Sequence, residues 1–567
     1  MPSTDRLLSA LEDSRYRFGH DEAARIRRLL DRVRAVRIDD TASLFRLHEV
    51  LLVLRAFPAS ATVLRATRQL LDTFVERVDR LRKIGADLDD LDPLEVSGIA
   101  GTVMQDAIGF DLARWLIRRM PGKVEIAWDD FDNERAMGAV WPLFLPLLNE
   151  DAMVEADIPW RKWLETAQGT KRISPSWLID RFSGLPCSSI EKARLYETLR
   201  MPVRWRLENS RVSRTRNSRP VRTVFYHQQP LLTRQDVSLA EELSHRPPTL
   251  TPLSIAEGTA IIDLIREVML VRYRELYGTT LGDPRSVVRA DVGRGVSIYL
   301  WGLPADRRLP LRAYVAGLTL KNGTPINYIE GIGLFEWMEI GFNTFYTYRG
   351  GEVAWIFAQV LRCLCRHMRT TCISMYPYQL GHQNEEAIQS GAFWFYRKLG
   401  FRPGRPELLH LVEREEQRIT KDRSYRTPPR TLKRIAEGYA FYEVPGSKVG
   451  LWDRFSTRNI GLRVNRKMAA QYQGDMVRFT KAAGQRLARL LHMRVPEKSD
   501  PTYPAFRDFA MVASLIPDLP TWTAREQIDF QNLITAKVAA NEMGYLHRLQ
   551  KHDRLRAAML TLGSPAG

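Results

Sequence analysis

Two short stretches carry the residues whose types and spacing could do chemistry. The first reads Tyr348-Arg349-Gly350-Gly351-Glu352-Val353-Ala354, followed by Ile356, Phe357, Val360, Leu361 and Leu364, which with Val353 make one apolar face. A glycine-bearing turn that enters a helix presents unpaired backbone N–H groups and the positive end of the helix dipole. That arrangement cradles an anion and suits a pyrophosphate. The second stretch, Gln389-Ser-Gly-Ala392-Phe-Trp-Phe-Tyr396-Arg-Lys-Leu-Gly400-Phe401, puts Ala392, Tyr396 and Leu399 on one helical face and closes with glycine at the C′ position. Trp394 and Phe395 read as core or lining aromatics, and Arg397 and Lys398 as the solvated outer face.

Other chemistry-bearing residue types form no constellation. Cys187, Cys363, Cys365 and Cys372 are too few for a disulfide framework and imply a reducing compartment. Cys363 and His367 stand at i and i+4, but no second ligand pair completes a zinc site, so no metal is expected. The acidic group Asp129, Asp130, Asp132, Asn133 and Glu134 lacks the glycine and glutamate spacing of an EF-hand loop and reads as a solvated turn. His382 stands alone. No Ser or Cys sits beside a His at triad spacing.

The two stretches together resemble the GNAT superfamily of acetyltransferases. The closing helix is similar to that family's, with an amide residue, Ala three on, Tyr four further and Gly-Phe after another three; the Arg-x-x-Gly-x-Gly/Ala-like turn lies about 45 residues upstream. The resemblance covers roughly residues 253–446. It implies a split, V-shaped sheet holding acetyl-coenzyme A or another acyl-coenzyme A, with the pyrophosphate on the amides of Arg349, Gly350, Gly351, Glu352, Val353 and Ala354 and with Gln389 on the closing helix. It further implies that Tyr396 protonates the leaving thiolate and that a general base lies on the strand before the turn, which offers Glu336 and Glu339, with Glu330 as a third choice. Residues three apart in a strand face opposite sides, so at most one of Glu336 and Glu339 reaches the cleft. Two positions depart from the family pattern: Glu352 stands where the turn has its first glycine, and Gln389 replaces the more usual Asn. A carboxylate in the first helical turn would satisfy the dipole itself and repel a pyrophosphate.

The elements that must position these residues follow from periodicity. Helical spacing runs through 44–81, 111–119 and 161–167, so residues 1–175 read as an α-helical domain. Residues 176–252 read as a basic linker, because 204–222 holds seven arginines (Arg204, Arg206, Arg211, Arg214, Arg216, Arg219, Arg222) against Glu208. After Pro247-Pro248 a helix is expected from Ile255 to Tyr277, then strands over 296–303, 311–320, 325–333 and 335–345, with Asn322-Gly323 as a type I′ hairpin turn. A helix over about 352–368, a strand over 371–375, one helix over 385–399 and a strand over 439–444 complete the central α/β domain. Residues 447–567 return to helix, with Thr523-Ala-Arg-Glu526 as a capping box. The fold class expected is multidomain α+β, a central mixed sheet between helical flanks.

Composition bounds the function. Of 84 basic residues 15 are Lys and 69 Arg, and the formal net charge is +18. Arginine can bind phosphate bidentately, so nucleic acid is conceivable, but the charge spreads along the chain and reads as Arg standing in for Lys. The N-terminus lacks a secretory h-region, and the most apolar stretch, 139–148, is far short of the roughly 20 residues a bilayer needs. A cytoplasmic protein without a membrane contact is expected. The functional expectation is direct acyl transfer to an amine on a small molecule or a protein; the alternatives are a non-catalytic binding or assembly module of the same fold, and transfer from a carrier such as aminoacyl-tRNA.

Overall fold

The computed structural model describes residues 4–145, 160–208 and 210–565. The chain is α+β and divides into two compact units, residues 1–230 with 260–281 and 321–325, and residues 231–259 with 282–320 and 326–567. These units do not follow the expected boundaries: 253–446 is shared between them, and 447–567 falls in the second.

The first unit begins with packed helices. Thr41–Ala56 is opened by Asp40, whose side chain accepts the Ser43 N–H, and it buries Leu44, Leu47, Val50, Leu51, Leu52, Val53 and Leu54. A helix apolar on all sides belongs at the centre of a core. Ala61–Leu71 and Phe74–Lys83 bury one stripe each and expose the rest. The unit is not purely helical, because β1 (Val103–Ala107), β2 (Val124–Ile126) and β3 (Pro202–Arg206) form an antiparallel sheet in the order β1-β3-β2.

The expected linker 176–252 is folded structure. Helices Pro175–Ser183 and Ser189–Thr198 precede β3, whose Trp205 is fully buried. Arg214 is 2% exposed, reaches Glu49 Oε1 at 2.6 Å and donates to the carbonyl of Glu95 at 2.7 Å. A guanidinium with enough acceptors can be buried, so an arginine-rich segment need not be solvated. The acidic group near 129–134 is, as expected, on the surface: Asp129, Asp130, Asp132 and Glu134 are exposed. The apolar stretch 139–148 lies partly outside the described residues, and among those described no helix is long and apolar enough to cross a membrane.

The second unit is built on a nine-stranded mixed sheet. Its strands are β4 (Thr251–Pro252), β5 (Val288–Gly293), β6 (Val296–Trp301), β7 (Ala313–Lys321), β8 (Thr324–Leu334), β9 (Trp337–Thr344), β10 (Cys372–Met375), β11 (Arg402–Pro403) and β12 (Ala440–Glu443). Their order is β11-β12-β10-β9-β8-β7-β6-β5-β4. The β7–β8 turn has positive φ at both Asn322 (46°) and Gly323 (78°), as a type I′ turn requires. These two residues count with the first unit, where Asn322 Nδ2 donates to Ala56 O at 2.9 Å and a Cβ on Gly323 would stand 2.0 Å from Arg219 O.

Two helices are shorter than their periodicity suggests. The helix from Ile255 ends at Leu270, and the segment expected as one helix over 385–399 is two, Glu385–Gln389 and Ala392–Arg397. Gly391 between them has φ 68°, a left-handed residue that ends one helix and starts the next. Beyond β12 the chain is helical, and Thr523 with Glu526 forms the expected capping box.

Candidate functional site

β10 ends before β9 does, on the side of the sheet where the glycine turn follows. β9 and β10 run parallel, and their pairing covers Trp337 to Ile340 opposite Cys372 to Met375. β9 continues to Thr344 with β8 alone as its partner, while the chain leaves β10 at once into the helix Pro377–Leu380. From Gly341 to Thr344 one edge of β9 therefore has no strand beside it among the described residues.

The turn follows directly. Gly351 N donates to Tyr348 O at 2.9 Å, and the helix Val353–Met368 starts with Ile356 N on Glu352 O at 2.9 Å. Arg349 and Gly350 are exposed. The Arg349 guanidinium lies 4.0 Å from the centre of the Tyr346 ring and pairs with Glu386. Glu352, in contrast, is 0% exposed: its carboxylate accepts from Arg294 Nε at 2.8 Å and from Leu232 N at 3.3 Å. The Glu352 charge is thus turned inward onto a guanidinium, and the outer surface of the turn carries two glycines and an arginine whose charge is paired with Glu386. An anion here would meet the glycines with the Arg349, Gly351 and Val353 N–H groups already bonded to the Tyr346, Tyr348 and Gly351 carbonyls, and would have to share Arg349 with Glu386.

The carboxylates are distributed by strand register. Glu330 pairs across β8 and β9 with Gly341, and Glu339 with Ile332, so Glu330 and Glu339 are diagonal neighbours on one face. The Tyr314 hydroxyl donates to Glu330. Arg312 Nη1 stands 3.9 Å from Glu339 Oε2. Burial raises both carboxyls above the ordinary 4.5; for Glu339, Arg312 and then the Tyr439 hydroxyl act in the opposite direction. The Tyr439 ring packs edge-on to Tyr376 at 5.5 Å between centroids.

Glu336 is not on the strand. Phe335 takes φ 55°, which puts Glu336 in the β8–β9 turn, at the opposite end of β9 from the glycines. There it accepts Arg556 Nε at 3.0 Å.

Tyr396 lies across the sheet from Glu339. Phe342 alternates to the far face of β9 and meets Phe357 at 4.8 Å, and Tyr396 packs against Phe357, Phe395 and Phe401 at 5.6, 5.2 and 5.7 Å. Burial pushes its phenol up. Glu339 and Tyr396 therefore stand on opposite faces of the sheet. Gln389 ends its short helix exposed to solvent.

Elsewhere in this unit an apolar cavity of about 200 Å³ is lined by Leu300, Trp301, Val315, Met338 and Met368. Its one carboxylate, Glu542, is consumed by Lys537 and the Tyr314 N–H. The thiols of Cys363 and Cys365 are buried and pushed up to about 12 by desolvation. Arg294, Arg312, Tyr314 and Tyr439 were not singled out by the sequence, because each is an isolated residue whose partner lies on another strand or loop. Comparison of the chain with protein-family models, characterised proteins and solved structures finds no match.

Proposed function

We propose that the segment 253–446 is a GNAT-like acyltransferase that moves an acyl group from acyl-coenzyme A to an amine by direct transfer. The observation that carries this reading is the unpaired edge of β9 from Gly341 to Thr344, beyond the end of β10, beside an exposed glycine turn whose own carboxylate is turned inward. A pyrophosphate would lie on the turn from Arg349 to Ala354, with Gln389 nearby on the resemblance, and the thioester would lie along the open edge of β9. Coenzyme A supplies the acyl group as a thioester.

Glu339 is the preferred base. It is half-buried, its carboxyl is raised by desolvation, and it neighbours the open edge of β9. In its ionised form it takes the proton from the acceptor nitrogen, which attacks the thioester carbon. As the C–S bond breaks, Tyr396 gives its proton to the sulfur. Glu336, held by Arg556 at the other end of the strand, is the weaker choice. The enclosure of Tyr396 among three aromatic rings favours a second reading, a non-catalytic binding module of the same fold.

The test is release of free thiol from acetyl-coenzyme A across a panel of amine acceptors. An acceptor-dependent rate that falls about 10²-fold or more in Glu339→Gln supports the transferase. No acceptor-dependent thiol release with any amine, from protein that binds coenzyme A, supports the binding module.

A further inference from the structure

Half of the net charge sits on one helical hairpin and the few residues that flank it. Residues 454–494 contain Arg454, Arg458, Arg463, Arg466, Lys467, Arg478, Lys481, Arg486, Arg489 and Arg494 against a single carboxylate, Asp475. That is ten positive charges less one negative, +9 of the chain's +18. The even spread expected from composition is therefore not what the fold presents.

The hairpin consists of helices Thr457–Tyr472 and Met476–Leu490. The first buries Ile460, half-buries Arg463, Val464, Lys467 and Met468, with Arg463 on the Leu562 carbonyl and Lys467 on that of Ser514, and exposes Arg458 and Arg466. The second buries Phe479, Ala483, Gly484, Leu487 and Ala488. At 100° per residue Arg478 and Arg489 fall on the opposite face and Lys481 on its flank. Asp475 is occupied as N-cap, accepting the Arg478 N–H at 2.9 Å. Among the described residues none of Arg458, Arg466, Arg478, Lys481 and Arg486, all exposed, forms an ion pair. The fold even crowds like charges, for Lys467 is shifted down by desolvation and by Arg486.

We infer that this hairpin is a docking surface for the phosphate backbone of a nucleic acid. Six of its eight cations are arginines, as are both flanking cations, Arg454 and Arg494, and the planar fork of arginine matches phosphate oxygens. Sixteen helical residues span about 24 Å, and a nucleic-acid strand offers a phosphate about every 3.4 Å of that track. A membrane surface is the competing anion, but an interfacial helix needs a continuous apolar face with Trp, Phe or Leu. The large apolar residues exposed on the hairpin are Leu462, Met476 and Val477, without an aromatic ring among them. Recognition is of backbone and not of sequence.

The experiment is fluorescence anisotropy with a labelled 20-nucleotide RNA and a 20-base-pair DNA duplex of arbitrary sequence, across a salt series. The full chain is compared with Arg466→Gln/Arg478→Gln/Lys481→Gln and with a charge-matched control, Arg28→Gln/Arg32→Gln/Arg34→Gln. Sedimentation with vesicles containing phosphatidylserine runs in parallel. Expected is salt-dependent binding to both nucleic acids, a hairpin variant that binds at least 10-fold more weakly, and a slope of log affinity against log salt reduced by about 2.7 for the duplex and about 2 for the single strand. The control should bind within about 2-fold of the parent, and equal melting temperatures would show that all three are folded. Equal binding by parent and hairpin variant, an equal loss in the control, or binding to vesicles alone would each overturn the inference.

Discussion

The carboxylate of Glu352, fully buried, accepts Arg294 Nε at 2.8 Å. By sequence this glutamate stands where it would repel an anion; in the fold its charge is spent on a guanidinium 58 residues away. Glu352→Ala should therefore destabilise the protein, by on the order of 3 kcal/mol, since it strands a largely buried cation. Glu352→Leu with Arg294→Met should restore most of that loss. Urea denaturation measures both, and an unaffected Glu352→Ala would mean that the carboxylate faces solvent and the turn.

Glu330 and Glu339 give the protein an acid-side signature. Burial raises both above the ordinary 4.5, so the folded state holds these protons more tightly than the unfolded chain. Their stabilising contribution is full below the unfolded value and is lost as pH rises through the higher folded value. Melting temperatures recorded upward from pH 4.5 should fall less steeply in Glu330→Gln than in the parent. An identical slope would place Glu330 in ordinary solvent contact. If Glu339 is the base of the proposed transfer, kcat/KM should rise with pH as it ionises, with a midpoint above the usual carboxylate range.

Tyr396→Phe separates chemistry from packing. The ring contacts with Phe357, Phe395 and Phe401 survive the change, so melting temperature and coenzyme A affinity should stay nearly constant. Turnover should fall on the order of 10²- to 10⁴-fold, the usual range for losing a general acid. Normal turnover would make Tyr396 a core residue only.

Arg214 tests the corrected reading of the arginine run. It is 2% exposed and holds Glu49 and the Glu95 carbonyl, so Arg214→Met should cost about 3–5 kcal/mol. Native protein should also resist trypsin between Arg204 and Arg222. Early cleavage there would restore the picture of an exposed linker.

What the sequence made legible is local. Asn322-Gly323 located its hairpin, and alternation located β6 to β10, because turn chemistry and side-chain period act within a few residues. β5 was missed although Val288, Ala290 and Val292 alternate with Arg289 and Asp291, because six residues give only three apolar positions and one of them is alanine. The glycine turn was visible, but the direction of the Glu352 side chain was not. Arg294 and Leu232, which decide it, lie on segments that sequence separation hides. Arg214 misled for the same reason, as its partner Glu49 is 165 residues away. Glu336 and Glu339 looked equivalent until the positive φ of Phe335 put one of them in a turn.

The acyltransferase reading stands or falls first on coenzyme A itself. Thermal and urea unfolding should be recorded with and without millimolar coenzyme A, for the full chain and for Gly351→Val, which crowds the turn without touching Glu339 or Tyr396. Ligand at about 100 times its dissociation constant should stabilise the parent by roughly 2.7 kcal/mol, and the variant by much less. No stabilisation of the parent, or the same stabilisation in Gly351→Val, would contradict the assignment of the turn as the coenzyme A site.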